Sequence, residues 1–128
     1  MTIKKKIIII GKKVHNAEYR PFLLLMAESL DIERFFADNM FLNKKRAVYA
    51  LVDSSEEKVK AFIEMASSKF PEKTNVEKVE VENHEGNVMK IESYYRYLTA
   101  ALLCEIETSW KKILDKSSLH SPKTKTSS

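Results

Sequence analysis

The spacing of apolar residues changes period several times along the chain. Residues 3–14 hold β-branched side chains in an unbroken run, Ile7-Ile8-Ile9-Ile10 at its centre, which predicts a strand buried on nearly both faces. Pro21 then stands where the first turn of a helix accepts it. Phe22, Leu25, Met26, Ser29 and Leu30 recur at roughly helical spacing, so a first helix is expected over 20–31. Residues 34–42 are rich in Phe and residues 46–53 alternate, Val48, Ala50 and Val52 against Ala47, Tyr49 and Leu51. Two adjacent strands joined by a polar turn at 43–45 follow from that. Ser54 and Ser55 before Glu56 and Glu57 make a helix start, because a hydroxyl caps free amides and carboxylates offset the positive helix end. Val59, Phe62, Ile63 and Ala66 carry that helix to about residue 70. After Pro71, Val76-Glu77-Lys78-Val79-Glu80-Val81 alternates as a strand with one wet face, closed by a turn at 84–86.

Strand, helix, strand, strand, helix, strand is the order of the ferredoxin-like α+β sandwich: a four-stranded antiparallel sheet, βαββαβ, with two helices on one face. From residue 92 to about 116 the pattern changes. Tyr94, Leu98, Leu102, Ile106, Trp110 and Ile113 keep near-i,i+4 spacing with no Pro or Gly between them, which predicts a long third helix. Residues 117–128 are Ser, Lys and Thr around Pro122, too polar to bury a core, and are expected to be disordered. The expected division is therefore a sandwich over 1–91, a helix over 92–116 and a tail over 117–128.

Composition narrows the classes of function. With 128 residues, 44% hydrophobic and 31% charged, the chain suits one globular domain and excludes a multidomain enzyme. A net charge of +4 favours anions weakly and falls short of a dedicated nucleic-acid binder, so no nucleic-acid partner is expected. The basic clusters at 4–6, 12–13, 44–46 and 111–112 read as solvated faces. Cys104 is the single cysteine, which rules out an internal disulfide and points to a reducing, cytoplasmic setting. No apolar run is long enough to span a bilayer and no export signal is evident, so no membrane partner is expected.

Candidate chemistry lies between the first strand and the first helix. A helix N-terminus offers free amides and a positive dipole end to an anion. The segment there is Val14-His15-Asn16-Ala17-Glu18-Tyr19-Arg20, in which Arg20 is expected to close a cradle built from the amides before it and to bind a phosphate through two parallel hydrogen bonds. Asn16 tolerates a left-handed backbone and so suits a curled loop without glycine. His15 reads as a partly exposed loop residue and Cys104 as a small hydrophobe, while His84 and His120 carry no role.

Together with Pro21, Phe22, Ala27, Leu30 and Ile32, this run resembles the acylphosphatase signature V-Q-G-V-x-F-R-x-F and its helix A-x-x-L-x-L, without a gap. Residues 47–52 leading into 56–59, and then 76–81, are similar to the family's third strand, second helix and fourth strand; the resemblance covers about 3–82. It implies hydrolysis of a carboxylic-phosphoric anhydride to a carboxylate and inorganic phosphate, with no metal, cofactor or covalent intermediate. The implied phosphate-binding residues are His15, Asn16, Ala17, Glu18, Tyr19 and Arg20, with a small phosphorylated ligand or inorganic phosphate as partner. The implied water-orienting asparagine of the second strand falls on Asp38 by ungapped counting, or on Asn39 if the strand shifts by one residue, which would reverse its face. The rival reading is a non-catalytic module that keeps the fold to bind an anion or macromolecule. Self-association through Leu98, Leu102, Ile106 and Trp110 would make the third helix a homo-oligomer contact.

Overall fold

The computed structural model describes residues 1–15 and 18–118, with side chains as far as residue 105. Seven elements follow in order: β1 (Thr2–Lys12), α1 (Tyr19–Ser29), β2 (Arg34–Leu42), β3 (Lys45–Ser55), α2 (Glu56–Ser68), β4 (Asn75–Asn83) and α3 (Ile91–Ser118). The sheet order is β2-β3-β1-β4 and every pair is antiparallel, the expected ferredoxin-like arrangement. Element ends move by a few residues. α2 stops at Ser68, where the Lys69 amide closes on the Met65 carbonyl, and α3 runs through Ser118, two residues into the stretch whose composition suggests a tail. The rest of that tail, 119–128, lies outside the described residues.

Cross-strand pairing assigns each strand residue to a face. Phe35 pairs with Val52, Ala37 with Ala50 and Asn39 with Val48; across β3, Val48 meets Ile9 and Ala50 meets Ile7. Phe35 reaches the Phe62 ring of α2 at 6.0 Å, so this is the helix-bearing face. Ile7, Ile9, Phe35, Ala37, Val48, Ala50 and Val52 are fully buried there beneath α1, which packs on β2 and β3, and α2, which packs on β1 and β3. On the opposite face Ile8, Ile10 and Ala47 form a second buried cluster with Met40, Leu42 and Tyr49 against it. Two apolar faces on one strand explain the unbroken isoleucine run in β1.

Local rules account for the connections. Ser55 caps α2 by accepting from the Lys58 amide at 3.3 Å, with Glu56 and Glu57 in the first turn. Asn43 and Lys44 have φ of 53° and 68°, the two left-handed residues that a tight hairpin requires, and the flanking Leu42 and Lys45 pair. Gly11 stands where the β1–β4 register shifts; a Cβ there would strike the Asn75 carbonyl oxygen and come within 2.8 Å of Val76 Cα. Among the described residues one isolated antiparallel bridge, outside the named strands, joins Arg34 and Lys90 on the free edge of β2. Phe35 donates its amide to the Met89 carbonyl, and the Ile91 amide donates to the Glu33 carbonyl. Tyr94 then covers the same edge, its hydroxyl donating to the Ala37 carbonyl at 2.8 Å between the Phe35 and Phe36 rings.

By contact density the chain forms two compact units, Met1–Arg96 and Tyr97–Ser128. The second holds the remainder of α3. Of the residues expected to mediate self-association, Leu98 is buried and Leu102 half-buried, and the side chains of Ile106 and Trp110 lie outside those described. Among the described residues no helix is long and apolar enough to cross a membrane.

Candidate phosphate site at the start of α1

β1 releases the chain at Lys12 and Lys13, and Lys13 takes φ 64°, the left-handed step that turns the backbone out of the sheet. Asn16, the residue chosen from sequence for such a step, lies outside the described residues together with Ala17. Val14 is fully buried and pins the turn. His15 turns its ring back onto the β2–β3 hairpin: Nε2 lies 2.8 Å from both the Met40 and the Ala47 carbonyl oxygens, and the ring packs edge-on against Phe41 at 5.0 Å. Carbonyls only accept, so Nε2 carries a proton and serves both. The side chain is thus a tether for the loop.

Glu18 occupies the N-cap of α1 with its carbonyl accepting from the Phe22 amide at 3.0 Å, and its exposed side chain makes no capping hydrogen bond. The first-turn amides are therefore not consumed by an acidic cap, and no acidic residue sits in that turn. Tyr19 is buried under the turn, edge-on to Phe22 at 5.8 Å. Its hydroxyl has no hydrogen-bond partner among the described residues, and burial pushes that hydroxyl far above the usual phenol range. Arg20 follows at 5% exposure, a guanidinium held inside the fold at the mouth of a helix. A charge so enclosed is costly to desolvate and needs compensating partners.

The strand pairing separates the two candidates for the water-orienting role. Asn39 pairs with Val48 and shares the face on which α1 and Arg20 lie; Asp38 pairs with Tyr49 on the opposite face. The Asn39 Oδ1 is buried with no hydrogen-bond partner among the described residues, whereas Asp38 Oδ1 accepts the Asn39 main-chain amide at 2.8 Å. The helix-bearing side thus holds a buried cation, first-turn amides and an amide oxygen that no described residue engages. Those are the groups needed to hold an oxyanion and orient a water. The loop tether, by contrast, was not legible in the sequence, because both of its acceptors are main-chain atoms.

Solved structures resemble this chain at low identity. Acylphosphatase from Bacillus subtilis matches at 18% identity and TM-score 0.52, covering 70% of this chain and 94% of that one. Acylphosphatase from Coxiella burnetii matches at 15% and 0.51, covering 67% and 84%. The crystal structure of full-length HypF in the phosphate- and nucleotide-bound form matches at 21% and 0.59, over 68% of this chain; the chain spans only 11% of HypF. Identities this low establish the shared fold. No curated protein sequence matches the chain. The acylphosphatase family model matches residues 5–92, well over half of the 128, and the chain belongs to the acylphosphatase family.

Proposed function

We propose that this protein hydrolyses acyl phosphates, with Arg20 and the amides of the loop before it binding the phosphoryl group and Asn39 orienting the attacking water. The observation that carries the reading is the burial of Arg20 in the first turn of α1 on the face where Asn39 holds a buried Oδ1 without a partner among the described residues. Family membership and the phosphate-bound state of HypF support it. The water attacks phosphorus in line with the acyl oxygen. As the P–O bond breaks, the carboxylate leaves with the electron pair, and both hydrogens of the water end on the phosphate. The equatorial oxygens carry the charge, so a fixed cation and oriented N–H donors lower the barrier, and alignment of the water matters more than a strong base.

The test is turnover of acetyl phosphate by wild type, Arg20→Ala and Arg20→Lys. Loss of about a hundredfold or more in kcat/KM for Arg20→Ala is expected from removing an oriented charged donor. Equal turnover by wild type and variant rejects the role of Arg20. A second reading, a non-catalytic anion-binding module, is favoured by Asp38, which stands where the ungapped family match puts an asparagine and faces away from α1. Phosphate binding by a wild type without turnover selects it.

A further inference from the structure

Resting on the reading of the Arg20 loop as a phosphoryl cradle, we infer that the cavity at the end of β1, where the chain turns toward that loop, is a second anion subsite. The acyl phosphate this protein takes then carries a further negative group, carboxylate or phosphate, on its acyl part. The cavity, about 390 Å³, is lined by Gly11, Lys12, Lys13, Lys45, Arg46 and Glu77. Four of the six are cations and one is an anion, a surplus of three in a chain whose whole surplus is four. Glu77 is taken by Lys45 at 3.2 Å, and among the described residues no carboxylate pairs with Lys12, Lys13 or Arg46. Cations gathered around one hollow repel each other, and an anion entering it relieves that repulsion. In the sequence these residues are two separate short clusters, each an ordinary wet surface; the fold brings them to one place.

The hollow borders the segment that leads into the loop. Lys13, at its edge, is the left-handed residue that starts the loop toward Arg20. His15 in that loop packs on Phe41, and Phe41 is the cross-strand partner of Arg46. Because 39 and 41 alternate on β2 as 48 and 46 do on β3, Arg46 belongs to the same sheet face as Asn39. A volume near 390 Å³ suits a small ligand rather than a polynucleotide strand.

Binding by calorimetry tests this without relying on turnover. The probes are methylphosphonate with one charged head, 3-phosphonopropionate with an added carboxylate, and propane-1,3-diyl bisphosphonate with an added phosphonate. Wild type is expected to bind at least one of the two-headed probes about tenfold or more tighter than methylphosphonate, the worth of roughly one charge-assisted contact. The carboxylate and phosphonate arms show which second group is preferred. In a Lys12→Ala/Arg46→Ala variant, both at exposed positions and checked for fold by circular dichroism, the two-headed probes should fall to the affinity of methylphosphonate. Equal affinities in wild type, or a preference that survives in the double variant, overturns the subsite. If methylphosphonate binds and Arg20→Ala abolishes it while no two-headed preference exists, only the subsite fails. If none of the three binds, the cradle fails and the subsite with it.

Discussion

Asp38 and Asn39 are neighbours joined by a hydrogen bond of 2.8 Å from the Asn39 amide to the Asp38 carboxylate, yet their side chains stand on opposite faces of the sheet. That division separates their roles in the proposed reaction. Asn39→Ala removes the buried Oδ1 that would hold water, and kcat on acetyl phosphate should drop about a hundredfold. Asp38→Asn keeps the acceptor for the Asn39 amide and changes a charge on the far face, so kcat should stay within about threefold. Steady-state kinetics on the two variants decide it; the reverse order would give the water to Asp38.

His15 ties the loop to the hairpin through one proton shared by two carbonyls. His15→Ala leaves both acceptors without this donor and removes an aromatic contact with Phe41. A loss of about 1–2 kcal/mol in urea unfolding is expected, with weaker phosphate binding as the loop loosens. His15→Gln, whose side-chain amide can still donate, should recover part of both. A nitrogen-15 spectrum of the wild type should report the proton on Nε2, and its absence there would remove the tether.

The element order was legible because each signal was local. Ile7–Ile10 declared a doubly buried strand, Ser55 with two glutamates declared the start of α2, and the spacing up to Arg20 declared the loop. The side-chain face of β2 was not legible, since Phe35 and Phe36 are both aromatic and give no alternation from which to choose a register. Only pairing with β3, set by the tight turn at Asn43 and Lys44, settles which residue faces α1. The covering of the β2 edge by Tyr94, and the gathering of Lys12 with Arg46, depend on contacts between residues far apart in the chain. No spacing rule within a single segment reports them.

Tyr19 occupies the signature position where the family pattern has Phe, and its buried hydroxyl finds no partner among the described residues. Such a group gives up water without compensation. Tyr19→Phe should therefore be neutral or stabilising, by up to about 1–2 kcal/mol in urea unfolding at pH 7. Burial raises the hydroxyl's pKa in the fold, so its contribution is present below the unfolded phenol value of about 10 and is lost as pH rises beyond it. Wild type should lose stability above about pH 10 more steeply than Tyr19→Phe. Parallel pH curves for the two proteins would show that the hydroxyl is solvated after all.

Glu33 supplies the acid limb of the same stability curve. The Ser54 hydroxyl donates to its carboxylate at 2.5 Å, a main-chain bond adds to this, and Lys58 approaches at 3.3 Å; together they hold the Glu33 carboxyl below the usual range. A lowered folded pKa means stability that is complete above the unfolded carboxylate value, about 4.3, and lost as pH falls through the folded one. The carboxylate is largely exposed, so solvent screening keeps the effect below about 1 kcal/mol. Ser54→Ala removes the largest cause. The variant should be less stable than wild type at pH 7, and the gap should narrow as pH falls from 5 toward 2, where Glu33 is protonated in both folded and unfolded chains. Urea unfolding at three pH values in that interval measures the gap. A gap independent of pH would mean that Ser54, fully buried, acts through packing alone and not through the charge on Glu33.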